Sequence, residues 1–227
     1  MGIVVTIDGP AGAGKSTVAK ALARALGWRY LDTGALYRAV ALTAAERGIG
    51  TEDAQALGSL TQALSITQDT EGRTFVDGRD VSASIRTEEV SSGASKVSAH
   101  PPVRTALVDV QRGVARDGDL VCEGRDMGTV IFPEAALKVF LVARTRTRAE
   151  RRQRDLEARG EHVSIDELVA MLEERDTRDS GREAAPLKKQ PDMVEVDTSD
   201  LSIEQVMDRL QALVAERVGR EGDADGS

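Results

Sequence analysis

The chain has 227 residues, which at roughly 100 to 200 residues per domain is one domain with insertions or two small ones. Its 41% hydrophobic and 30% charged residues exclude a chain disordered throughout, and with it collagen-like and low-complexity classes. A net charge of -8 supplies no global positive field for nucleic acid or anionic lipid, and one cysteine with two histidines rules out an internal disulfide and leaves structural zinc almost no ligands.

Residues 3–8 are a β-branched run that ends in a Gly-rich turn, after which Val18, Leu22 and Leu26 recur at helical spacing until Gly27. Residues 28–32 read as a second strand and 34–48 as a second helix closed by Gly48. This alternation predicts a parallel sheet. A helix over 52–63 follows, and then the pattern changes. Residues 64–68, 74–77 and 81–85 are short and strand-like, separated by Asp69-Thr70-Glu71-Gly72 and Asp77-Gly78, which are hairpin turns. A small antiparallel sheet is therefore expected as an insertion.

Helical spacing returns over 88–99, is broken at Pro101-Pro102 and resumes over 103–116. Residues 120–123 and 137–143 read as central strands. Two charged helices over 145–159 and 165–179 flank Gly160, and a last strand (193–196) and helix (203–218) precede a polar, Gly-rich tail over 219–227 that is expected to be disordered. No run of about 20 apolar residues occurs and no basic region precedes the first apolar segment, so the expectation is a cytoplasmic protein without membrane attachment.

Three groups of residues carry chemistry. Gly9-Pro10-Ala11-Gly12-Ala13-Gly14-Lys15-Ser16, with Thr17 behind it, satisfies the P-loop pattern and lies between a strand and a helix as that motif requires. Backbone N–H groups and a helix N-terminus can surround phosphate oxygens there, Lys15 can reach the β- and γ-phosphates of ATP, and the Ser16 hydroxyl can hold Mg²⁺. The chain contains no asparagine, so the guanine-reading Asn-Lys-x-Asp motif of GTPase switches is excluded.

The second group is seven arginines between Arg144 and Arg159, a local +4 that includes Arg148 and Arg152. Arginines on a mobile helical hairpin stabilise the charge of a transferring phosphoryl group; a solvated helix face laced with ion pairs is the alternative. The third is Glu123-Gly124-Arg125-Asp126-Met127-Gly128-Thr129, placed after a central strand, at the edge where open α/β sheets bind ligands. Glu123 can orient Mg²⁺-bound water there, while Arg125 and Asp126 offer a donor and an acceptor to a polar ring.

These residues resemble the nucleoside monophosphate kinases, and within them the bacterial cytidylate kinases. The resemblance rests on Ile7-Asp8-Gly9-Pro10, residues 32–38, Ser84-Ile85-Arg86-Thr87, residues 124–130, residues 175–179 and Ala185-Pro186-Leu187, in that family's order and over nearly the whole chain to residue 218. It implies an α/β fold: a five-stranded parallel sheet flanked by helices as a P-loop kinase core over 1–218. To that core it adds a monophosphate-binding region over 33–104 that carries the small sheet at 61–86, and a short helical lid at 150–162.

The resemblance also implies the reaction, phosphoryl transfer from ATP to CMP or dCMP with Mg²⁺. It carries substrate roles to Thr33, Tyr37, Arg38, Ser95, Arg104, Arg125, Asp126, Arg175, Asp179 and Arg182. Ser95, Arg104 and Asp126 match the family's base readers, and Arg175 and Asp179 its sugar pair. Glu123 stands where the family more commonly has Asp, and Thr33 where Ser is common. Lys15, Arg125, Arg148 and Arg152 are the candidates for holding the transferring group, with Ser16 and Glu123 on the metal. The acceptor phosphate, whose second pKa is about 6, is already largely dianionic at pH 7, so no side chain need remove a proton. The partners expected are small nucleotides met by a monomer, with neither nucleic acid nor membrane. A P-loop kinase of another small acceptor, and a non-kinase ATP-binding regulatory protein, are the alternatives the residues leave open.

Overall fold

The computed structural model describes residues 2–224. β1 (Val4–Asp8) is buried along its whole length, and leads through the Gly-rich loop into α1 (Lys15–Leu26), which buries Val18, Ala19, Leu22 and Ala23 on one side. β2 (Arg29–Asp32) ends in the residue that caps α2 (Thr33–Glu46): Asp32 Oδ1 accepts from Ala35 N at 2.9 Å. Asp53 caps α3 (Ala54–Ala63) in the same way.

The inserted sheet is present, with β3 (Ile66–Gln68), β4 (Thr74–Val76) and β5 (Arg79–Asp80) antiparallel in sequential order. Its third strand lies earlier than the expected 81–85. Asp77 and Gly78 both take left-handed φ, at 50° and 81°, and this two-residue turn pairs Val76 with Arg79 at once. Val81 is then buried at the strand's end, and Ser84–Arg86 is a 3-10 turn that buries Ile85.

Pro101 and Pro102 occupy the first turn of α5 (Pro101–Val114), where a missing N–H costs nothing, so the interruption falls just after α4 (Glu88–Val97). β6 (Leu120–Gly124) and β7 (Leu137–Val142) complete the centre of the sheet. Between them Met127–Ile131 forms a wide helical turn that no sequence pattern announced. α6 (Thr145–Glu157) and α7 (Ile165–Gly181) make a hairpin whose buried Ala149, Leu156, Leu168 and Leu172 pack with Ala11 of the P-loop. β8 (Val194–Asp197) precedes α8 (Ile203–Ala224). That helix continues six residues past the expected end at 218, into the segment read as a tail, and 225–227 lie outside the described residues.

The large sheet has the order β2-β6-β1-β7-β8 with every neighbouring pair parallel, as expected. Alternation sends Val5, Ile7, Tyr30, Val121, Val139, Leu141 and Val196 to the face covered by α1 and α8. Val4, Leu31, Leu120 and Cys122 go to the opposite face, under α2, α3, α4 and α5. The connection out of β1 runs toward β2 and that out of its neighbour β7 runs the opposite way toward β8, so the crevice beyond the C-terminal ends of β1 and β7 is where the fold places a ligand. No helix among the described residues is long and apolar enough to cross a membrane.

Candidate active site

A cleft of about 1000 Å³ opens at that edge. The loop from Ala11 to Thr17 forms one wall, and Ser16 and Thr17 are exposed to it. Gly9 and Pro10 do not line the cleft; they set the loop's course. At Gly9 φ is 150°, and a Cβ there would stand 2.1 Å from the Leu141 carbonyl oxygen, so β7 can pass this close only to a glycine.

Lys15 is buried, with Nζ donating to Pro10 O at 2.8 Å. Burial, then the neighbouring Arg125 and Arg175, push its pKa down to about 7, while Glu123 and Asp8 pull the other way. Glu123, also buried, faces it from the end of β6. Burial and then Asp32 raise the Glu123 carboxyl, whereas Lys15, the Ser16 hydroxyl and Tyr30 favour its charge. Ser16 and Glu123 are hard oxygen donors on one wall. They suit a hydrated Mg²⁺ that keeps several waters and is otherwise held by substrate phosphates.

All ten residues to which the resemblance carries substrate roles line the same cleft. Thr33 Oγ1 donates to Glu123 O at 2.7 Å, which joins the start of α2 to the end of β6. Arg38 Nη2 donates to Asp32 Oδ2 at 2.8 Å. Asp179 gathers several of the others, accepting from Arg125 Nε at 2.9 Å and from Ser95 Oγ at 3.2 Å, with Arg175 Nε 4.0 Å away. Burial pushes the Asp179 carboxyl up, but Arg125 and Arg175 outweigh it and hold it below the ordinary carboxylate range. Arg175, pushed down to about 10 by burial and then by Arg125, also donates to Ser91 Oγ at 2.9 Å.

Asp126 is buried against Arg104, which donates to it, and Arg182 stands 3.8 Å from its other oxygen. The Arg104 guanidinium also lies 5.8 Å from the centre of the Tyr37 ring. Three buried nitrogens, Arg38 Nε, Arg175 Nε and one Nη of Arg182, have no hydrogen-bond partner among the described residues. Buried donors of this kind suit a polyanionic ligand.

The lid arginines divide. Arg152 lines the cleft and donates to Glu88 at the start of α4, and Arg159 donates to Arg86 O at 2.9 Å, so the hairpin touches the segment from the 3-10 turn to α4 at both points. Arg148, expected beside the transferring group, does not line the cleft. Its guanidinium is spent on Ala143 O, Ala11 O, Thr145 Oγ1 and Asp176 Oδ2, all within 3.0 Å, which braces the P-loop against α7.

Asp8, part of the Ile7-Asp8-Gly9-Pro10 stretch, has a structural task its sequence context does not announce. It is fully buried and accepts from Met127 N at 2.9 Å and Gly128 N at 2.8 Å, holding the turn that follows Asp126. Burial raises its pKa to about 6 against those bonds. Its neighbours in the chain give no sign of partners some 120 residues away.

The cytidylate kinase family model matches residues 5–216. A cytidylate kinase of Geobacter sp. (strain M21) is 46% identical over 222 residues, 96% of this chain and 95% of its own length. That of Methylococcus capsulatus is 48% identical over 90% of this chain and 93% of its own. Among solved structures, a gluconokinase from Sinorhizobium meliloti 1021 superposes over 100% of this chain and 98% of its own with a TM-score of 0.51 at 16% identity, a likeness of fold alone. A P-loop, an arginine-rich cleft, a family model over nearly the whole chain and relatives at this identity lead to one conclusion: the chain belongs to the cytidylate kinase family and is a nucleoside monophosphate kinase.

Proposed function

We propose that this cleft carries out the family's reaction, ATP-dependent phosphorylation of CMP and also of dCMP, through the residues it brings together. The observation that carries the reading is that Ala11 to Thr17 of the P-loop and all ten acceptor-site residues line a single cavity of about 1000 Å³. That is room for two nucleotides facing each other.

The backbone N–H groups of Ala11 to Thr17 hold the donor phosphates at the N-terminus of α1, and Lys15 follows the charge of the group in flight. Arg38, Arg125 and Arg175 hold the acceptor phosphate, whose oxygens are anionic without help from a base. Ser95, Arg104 and Asp126 read the cytosine ring, Tyr37 and Arg182 brace that reading set, and Arg175 and Asp179 take the sugar. Arg152 comes from the lid hairpin to the transferring group. Ser16 directly and Glu123 through water hold Mg²⁺, which supplies neutralisation of the donor phosphates when bound. The catalytic task is positioning and charge neutralisation in a site that excludes water. Since one chain lines the whole cleft, a monomer is sufficient, and the buried free thiol of Cys122 suits the reducing cytoplasm.

Calorimetric titration of CMP against cytidine tests the acceptor-phosphate assignment. The wild-type protein is expected to bind CMP far more tightly than cytidine, and Arg38→Ala is expected to narrow that ratio by about tenfold or more, the worth of a charge-assisted hydrogen bond. A ratio unchanged by the substitution would contradict the assignment.

A further inference from the structure

Glu123 carries one methylene more than the Asp that its family resemblance leads one to expect at this position, so its carboxylate has an additional rotatable bond to immobilise. The structure shows what does this. Tyr30, in the middle of β2, donates its phenol O–H to Glu123 Oε1 at 2.9 Å, a buried bond between residues 93 apart in sequence. In the parallel pairing of β2 with β6, Asp32 stands opposite Glu123 and Tyr30 opposite Val121. Tyr30 therefore shares the α1-side face with Glu123 but lies two residues behind it, about 6.6 Å along the strand. A tyrosine is long enough to cross that gap; a serine or threonine is not.

The ring itself is held from the inserted sheet. A Cβ at Gly72, in the hairpin turn between β3 and β4, would stand 3.1 Å from the Tyr30 ring, so the turn rests on its edge. Lys20 of α1 ties the same turn down by donating to Glu71 O at 2.5 Å. Gln68 exchanges two hydrogen bonds with the Asp32 backbone at 3.1 and 2.9 Å, fixing the next residues of β2. Tyr30 does not line the cleft and touches no substrate position; its hydroxyl has Glu123 as acceptor. Burial, then Glu123 and Asp32, hold the phenol well above its ordinary range, so it remains a donor.

We infer that Tyr30 is a positioning residue for phosphoryl transfer: seated by the Asp69–Gly72 turn, it fixes one oxygen of Glu123 so that the other faces Ser16 and the donor phosphates. The inserted sheet thereby bears on the donor side of the cleft as well as on the acceptor side. The inference rests on the placement of Glu123 given under Proposed function, and deepens it.

The test uses Tyr30→Phe, which keeps the ring under Gly72, together with Glu123→Asp, the double variant and Glu123→Ala. Tyr30→Phe is expected to keep the melting temperature and the KM for CMP close to wild type while lowering kcat about tenfold. Calorimetry adds a readout separate from turnover: the Mg²⁺ concentration that half-saturates tight ATP binding rises several-fold, and ATP binding without Mg²⁺ is unchanged. In the Glu123→Asp background, where the shortened carboxylate no longer reaches the phenol, Tyr30→Phe has less than a twofold effect on kcat. An equal effect in both backgrounds overturns the inference, as does a parallel loss of CMP binding, ATP binding and melting temperature, the mark of packing alone. Wild-type kcat and Mg²⁺ dependence in Tyr30→Phe overturns it too. Full activity in Glu123→Ala would instead overturn the role of Glu123 itself, a separate failure that the other variants do not produce.

Discussion

Replacing Lys15 with alanine is expected to lower kcat about 10³-fold, the scale for removing one preorganised charge from a developing oxyanion, with little change in folding. Among the described residues the side chain makes one hydrogen bond, to Pro10 O, so few contacts are lost. What is lost is a charge kept at cost. Burial, Arg125 and Arg175 bring its pKa down to about 7, so the ammonium is held in a place that disfavours it until phosphate oxygens arrive. Such an interaction grows as negative charge spreads over the transferring group, so kcat falls more than the KM for ATP rises. Single-turnover assays beside thermal melts check this, and comparable turnover in a folded Lys15→Ala protein would refute the donor-side account.

The second large effect concerns the base. Cytosine presents an amino donor at N4 and acceptors at N3 and O2, whereas uracil presents an acceptor at O4 and a donor at N3. In the structure Asp126 and Arg104 satisfy each other in a buried pair, and Arg182 stands nearby. A cytosine can divide them, with the carboxylate accepting from N4 and the guanidinium donating to the ring acceptors. Uracil would set like against like in the same dry site, at about 1 to 3 kcal/mol for each mismatched group. Asp126→Ala should therefore lower kcat/KM for CMP about 10²-fold while changing that for UMP far less, so the two substrates converge. An equal loss on both would remove Asp126 from the base-reading set.

What could be read ahead of the structure was local. The P-loop, the alternation of strand and helix, and the Asp77-Gly78 turn are encoded within a few residues, and each lies where the pattern placed it. The third small strand shifted because a two-residue turn begins pairing at once, a consequence of backbone geometry that the apolar run at 81–85 masked. The acceptor pocket was legible only through ordered motifs: Ser95 and Asp179 are 84 residues apart, and no spacing rule joins them. Arg148 shows the limit most plainly. Composition marked it as one cation among seven, but its neighbours in space are carbonyls of the P-loop and of Ala143, so it became a brace. Tyr30 and Asp8 were opaque for the same reason, since each acts on a partner far away in sequence: Tyr30 on Glu123 of β6, and Asp8 on the backbone of the turn at Met127 and Gly128.

The central claim is that one cleft passes a phosphoryl group from ATP on the P-loop to CMP on the arginine-lined wall. Initial rates of ADP formation by the wild-type protein, with ATP and Mg²⁺ fixed and CMP, dCMP, UMP, AMP, GMP and gluconate each varied, test it most directly. The account predicts that CMP and dCMP exceed every other acceptor in kcat/KM, and UMP by on the order of 10² or more. Equal turnover of UMP and CMP, preference for a purine monophosphate or gluconate, or ADP formation that no acceptor accelerates would contradict it.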